Sequence, residues 1–122
     1  MNIQEQIDQW KKDAEFVKNV GMILCHNGIV RGTTREGSKP VAAVRVTPNY
    51  QRIEELRREY ENAPGIYKVA IEAHGGELVP GDDLLYILVA GDIRENVKAT
   101  LAELLDRVKA EAVSKEEILT EN

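Results

Sequence analysis

The sequence has one cysteine, Cys25, and only two histidines, His26 and His74, in 122 residues. A single thiol excludes an intramolecular disulfide framework and fits a reducing compartment. Soft and imidazole ligands this scarce also argue against a metal site: Cys25 and His26 are neighbours that point to opposite faces of any strand, and no second ligand pair stands at metal spacing. Long apolar runs are missing too. No bilayer-spanning helix is expected, the polar N-terminus carries no signal-peptide pattern, and the expected location is cytoplasmic. Nor is there an excess of positive charge. The formal net charge is -5, which speaks against nucleic acid or an anionic membrane surface as partner, so any anion site has to be local. Ser38, Ser114 and Cys25 sit in no nucleophile-elbow context, and Gly75-Gly76 matches neither the P-loop nor the dinucleotide fingerprint; a bulge or strand end explains that pair more cheaply.

The length fits one domain over residues 1–122, able to bury roughly two thirds of the surface its unfolded chain exposes. Its organising stretch is an apolar strand at residues 84–90 followed at once by a long amphipathic helix. Asp92 reads as the N-cap of that helix, with Glu95 completing a capping box. Val97, Leu101, Leu104, Leu105, Val108 and Ala112 form the stripe it buries. Ahead of it, Ile3, Ile7, Trp10, Ala14 and Val17 predict one surface helix over residues 2–18, anchored by Trp10. Residues 22–31 and 41–46 read as strands that form a hairpin, with a bulge where His26, Asn27 and Gly28 interrupt the first. Thr47-Pro48 reads as a helix start, and Tyr50, Ile53, Leu56 and Tyr60 as the buried side of the helix that follows. Alternation over residues 67–74 predicts a further strand, residues 77–79 a short extended piece, and the charged tail at 113–122 frays. The order of elements is that of an α+β domain, a mixed or antiparallel sheet with packed helices.

What remains for chemistry is a set of cations at element ends: Arg31, Arg94, Lys109 and Lys115. An arginine in the first helical turn opposes the helix dipole, so Arg94 is better explained by an anion nearby. Lys109 borders the buried stripe, where partial desolvation lowers its pKa and frees it for proton transfer or amine chemistry. Fifteen positions on one helix separate Arg94 from Lys109 by roughly 22 Å, too far to share a small ligand within one chain. A site using both therefore combines two subunits and predicts a homodimer.

Gly21, the run Gly28-Ile29-Val30-Arg31, the run Gly76-Glu77-Leu78-Val79-Pro80-Gly81-Asp82, and Arg94 followed without a gap by Asp106 and Lys109 stand in a telling order and spacing. Over residues 21–117 the chain resembles the large, catalytic subunit of molybdopterin synthase in a divergent form. The resemblance implies an α/β-hammerhead fold, a homodimeric core and a small ubiquitin-like sulfur-carrier subunit whose C-terminal Gly-Gly thiocarboxylate enters a pocket of the large subunit. There it donates sulfur twice to a phosphorylated pterin, cyclic pyranopterin monophosphate, to build molybdopterin, with no resident cofactor. By the same resemblance Arg31 and Arg94 bind the anionic substrate, Arg94 from the neighbouring subunit, and Lys109 is catalytic. A second family lysine falls on Lys115 with a one-residue gap and on Glu116 without it. His26 and His74 stand where the family has other residues and are taken as further substrate-binding candidates. The alternative function is a dimeric paralogue that binds pterin phosphate or a carrier tail without catalysing sulfur transfer.

Overall fold

The computed structural model describes residues 1–120. Its elements are α1 (Ile3–Trp10), α2 (Ala14–Asn19), β1 (Met22–Ile29), β2 (Val41–Pro48), α3 (Tyr50–Glu61), β3 (Ile66–Ala73), β4 (Gly76–Leu78), β5 (Asp83–Gly91), α4 (Arg94–Glu111) and β6 (Val113–Leu119). They build two antiparallel three-stranded sheets, one ordered β1-β5-β3 and the other β4-β2-β6. The α+β class with antiparallel sheets and packed helices is as the sequence order implied.

β5 is apolar along its length because both of its faces are covered. Leu85, Ile87 and Val89 join the larger core, with Ile53 and Leu56 of α3 and Val97, Leu101, Leu104 and Val108 of α4. Tyr86, Leu88 and Ala90 point the other way, under Trp10 and Phe16. A strand buried on both faces loses the alternation that marks a half-solvated one. The register His26↔Ile87 puts His26 on the α4 face, whereas Cys25↔Leu88 puts Cys25 on the α1/α2 face.

Several local expectations are corrected. The N-terminal helix is two helices, broken at Lys11-Lys12, with Asp13 capping the second through Glu15 N; Phe16 is buried in place of Ala14 and Val17. β1 and β2 do not form a hairpin, since they lie in different sheets, although β1 does shift register between Gly28 and Ile29. β2 runs on through Pro48, so α3 is capped by Asn49, whose Oδ1 accepts from Arg52 N at 3.0 Å, and Tyr50 is exposed. Proline at a strand end needs no ladder donor, which is why Pro48 suits the strand as well as a helix start. Tyr67 bulges outward where β3 shifts register against β5.

No capping box opens α4. Ile93 is the N-cap without a side-chain cap bond, while Asp92 Oδ1 accepts from Ile93 N at 2.6 Å and Asn96 Nδ2 at 2.9 Å, and Glu95 takes no part in a cap. The tail is not frayed over residues 113–119: it is β6, paired with β2 from Val113↔Pro48 to Leu119↔Val41. The rest of that expectation reaches Glu121 and Asn122, outside the described residues.

The junction of β5 and α4 is tight at Gly91. A Cβ there would stand 2.6 Å from Gly65 O and 2.7 Å from Val97 Cγ2. Gly91→Ala is expected to cost about 2 kcal/mol, the scale of overpacking in a well-filled core, read as a lowered urea midpoint at unchanged m-value. An unchanged midpoint would show that this junction gives way freely.

Candidate functional site

Because β1 and β2 part company, residues 30–40 cross from one sheet to the other and leave a cavity of about 520 Å³ beneath them. Its lining comes from that connection (Arg31, Thr33, Arg35), the end of α4 (Lys109) and β6 (Lys115, Glu117), over an apolar floor that includes Val44 and Leu84. Four cations face one carboxylate in a chain whose net charge is -5. Arg31 Nε donates to Thr33 O at 3.2 Å, and its terminal nitrogens have no hydrogen-bond partner among the described residues.

Pairing with β2 decides which residue of β6 faces inward. Lys115 lies opposite Val46 and Glu117 opposite Val44, on the core side, while Glu116 lies opposite the exposed Arg45. Lys115 therefore meets the cavity and Glu116 faces away.

Lys109 as a residue is exposed, yet its ammonium is held below the ordinary lysine range. Loss of water is the largest cause, Lys115 and then Arg35 add repulsion, and Asp106 opposes them. A lysine shifted this way releases a proton more readily and regains nucleophilicity nearer neutral pH.

The two histidines are not brought together. His26 lies on β1 beneath the flank of α4, within the field of Lys109, with its Nε2 shielded from water and without a hydrogen-bond partner among the described residues. A Cβ on Gly28 would come to 3.0 Å from that Nε2, so the glycine leaves room for the ring. His26 neighbours the cavity without lining it. His74 belongs to the opposite face of the sheet, its Nδ1 on Asp83 O at 2.7 Å, its Nε2 on Glu72 Oε2 at 2.9 Å and its ring edge-on to Tyr86. His74, expected as a substrate-binding candidate, is not among the residues that line the cavity of Lys109. Cys25 shares that far face, and burial raises its thiol pKa, the wrong direction for a nucleophile.

Arg94 stands at the other end of α4 from Lys109, exposed and, among the described residues, paired only with Glu95 at 3.7 Å. It is outside this chain's cavity. Arg35, by contrast, reaches the cavity although its loop composition gave no reason to single it out; the four-residue spacing from Arg31 across a turn was the one available signal. Among the described residues no group of His, Cys, Asp and Glu is arranged to hold a metal ion, and no helix is long and apolar enough to cross a membrane.

A family model described as MoaE protein matches residues 2–111. The chain belongs to the MoaE family. Molybdenum cofactor biosynthesis is accordingly the process it serves. The match ends before β6, so Lys115 is placed by the fold alone. Among solved structures, molybdopterin synthase from Staphylococcus aureus superposes with a TM-score of 0.75 at 18% identity, over 94% of this chain and 85% of that one. The molybdopterin biosynthesis MoaE protein from Burkholderia ambifaria gives 0.74 at 19% identity, over 100% of this chain and 85% of that one. A complex of subunits 1 and 2 of molybdopterin-converting factor from Helicobacter pylori gives 0.71 at 15% identity, over 100% and 82%. Such identities establish the fold these chains share. Among curated proteins, no sequence matches significantly.

The two histidines are expected to affect stability with opposite sign. Desolvation and Lys109 lower the pKa of His26 from 6.5, so the unfolded chain binds the extra proton and this contribution falls as pH drops through 6.5. The bonds to Asp83 O and Glu72 raise that of His74, so its contribution is full below 6.5 and is lost as pH rises through the raised value. His26→Leu, which removes an unpartnered buried nitrogen, is expected to gain about 1 kcal/mol at pH 8 and more at pH 5.5 in urea unfolding. His74→Gln should lose most at pH 5.5. Parallel pH profiles for the two variants would contradict both assignments.

Proposed function

We propose that the cationic cavity is the sulfur-transfer site of a molybdopterin synthase large subunit. What carries this reading is the convergence of Arg31, Lys109 and Lys115, from three separate elements, on one cavity in a chain of the MoaE family. The substrate is cyclic pyranopterin monophosphate, and the sulfur donor is the thiocarboxylated C-terminus of a small carrier subunit ending in Gly-Gly. The two-subunit assembly named for the Helicobacter pylori complex supports a small partner of this kind.

Each side chain has a physical task. The free guanidinium nitrogens of Arg31 grip phosphate oxygens, since a planar fork matches them better than a point charge. Lys109, with its lowered proton affinity, exchanges a proton at the reacting centre and then stabilises the developing oxyanion. Lys115 holds the thiocarboxylate by charge. Arg94 serves the cavity of a second copy, because the length of α4 keeps it from its own, and the working unit is a homodimer.

The test is synthesis of molybdopterin from the thiocarboxylated carrier and the cyclic monophosphate. Lys109→Ala is expected to lower turnover at least a hundredfold, the scale of a lost acid–base group, and full turnover by that variant would refute its role. Sharing of sites adds a sharper expectation. Lys109→Ala and Arg94→Ala, each impaired alone, should on mixing and subunit exchange recover about a quarter of wild-type activity, since half the dimers are mixed and each carries one intact site. No recovery from variants shown to exchange would rule out the shared site.

A further inference from the structure

Arg35 has no task in the scheme above, yet the fold holds it firmly over the cavity. The connection that carries it is closed by its own backbone: Val41 N donates to Gly32 O at 2.9 Å, Thr34 N to Lys39 O at 2.9 Å and Gly37 N to Thr34 O at 2.7 Å, with a bridge between Thr33 and Pro40. Thr34 is buried and its Oγ1 accepts from Lys39 N at 3.3 Å. Gly37 turns the chain at φ +76°, where a side chain would be strained. Arg35 occupies the second position of this hydrogen-bonded turn. Its guanidinium makes no hydrogen bond or ion pair among the described residues, whereas Arg52, Arg57, Arg58 and Arg107 are each tied to carboxylates. The backbone is thus ordered in advance while the charged head stays free, the arrangement that suits a ligand-binding group.

We propose that Arg35 binds the phosphate group of the substrate across the cavity from Lys109 and Lys115, making residues 30–40 a phosphate clamp with two guanidinium arms, Arg31 and Arg35. The proposal rests on the reading of this cavity as the site of a phosphorylated substrate.

A consequence for Lys109 follows from the charges around it. Arg35 from the connection and Lys115 from β6 repel its proton, Asp106 on α4 attracts it, His26 lies beneath it on β1, and Arg31 and Glu117 complete the rim. A phosphate seated on Arg35 cancels one of the repulsions. Binding the anion therefore raises the proton affinity of Lys109, and by linkage the anion binds more tightly as pH falls through the lysine's titration.

Inorganic phosphate titrated into the full chain, followed by calorimetry and by the ε-carbon resonance of Lys109, tests this. Wild-type protein is expected to bind phosphate with a rise in the Lys109 titration midpoint. Arg35→Gln should bind about tenfold more weakly, the size of one lost charge-assisted pair, and start from a higher Lys109 midpoint. Arg35→Lys should recover the charge effect on Lys109 but only part of the affinity, because the fork is gone. Wild-type affinity in Arg35→Gln, or no phosphate binding by the wild type, would overturn the proposal. If phosphate binding depends on Arg35 while no molybdopterin forms with an authentic carrier, the clamp stands and the sulfur-transfer reading is what fails.

Discussion

Everything in this fold hangs on β5 being buried from both sides. Leu85, Ile87 and Val89 seat α3 and α4, and Tyr86, Leu88 and Ala90 seat α1 and α2, so one strand fixes the position of both helical layers. Ile87, Leu88 and Val89 have no exposed surface, and neither do Leu104 and Val108 of α4. At roughly 25 cal/mol per Å² of apolar area, interlocked burial of this kind is the dominant favourable term, and it leaves α4 little freedom to slide or rotate. The position of Lys109 is in that sense decided at Val108, one residue earlier. A second restraint acts from the side: Arg107 reaches Glu111 on its own helix and Glu59 and Tyr60 on α3, and Arg52 of α3 also meets Glu111. These exposed pairs contribute little individually. Together they fix the last turn of α4 against α3, and that turn carries the lysine.

The distribution of charge separates function from background. Around α3 and α4 opposite charges are interleaved and mutually satisfied, with Glu54 and Glu111 held down to about 2 by their arginines. Around the cavity the cations stand close without such firm pairing among the described residues, with Glu117 as the one carboxylate of the lining and Asp106 acting on Lys109 from α4. Like charges gathered beside an apolar floor oppose one another and lose hydration, which a fold does not need for stability. An anion of matching size removes that penalty, so the cavity is electrostatically unfinished where the rest of the surface is complete.

How much of this the sequence disclosed depends on whether the signal was local. The burial of Val97, Leu101, Leu104 and Val108 follows from helical spacing, and the apolar run of β5 from its own composition, so both were legible. β6 was not. Its residues Ser114, Lys115, Glu116 and Glu117 have little intrinsic preference for a strand, and only the open edge of β2 makes them one. The charges on it also keep that edge from recruiting a further strand. The expected hairpin of β1 and β2 failed for a related reason, because the pairing choice was made by β5 and β6, strands far along the chain. That failure of a local rule is what opens the cavity, and with it the place of Arg35 was hidden. Which of Lys115 and Glu116 faces the cavity was likewise undecidable from spacing alone, whereas a single strand register shows that it is Lys115, since each step of one residue turns the side chain to the other face.

Both notable cations of α4 sit where helix physics gives them conflicting advice. Lys109 lies in the last turn, where the dipole favours a positive charge by about 0.3–1 kcal/mol at an exposed site, yet desolvation and the neighbouring Lys115 and Arg35 outweigh that and lower its proton affinity. Arg94 opens the helix, where the dipole disfavours it, and its relief among the described residues is a loose contact with Glu95. One helix thus carries a lysine whose proton is made easier to remove at one end and, at the other, an arginine without a firm partner among the described residues. A rigid helix of this length cannot resolve the two conflicts with one ligand. In the homodimer proposed above, the same two ends would belong to different cavities, and an anion in each cavity would answer both conflicts at once.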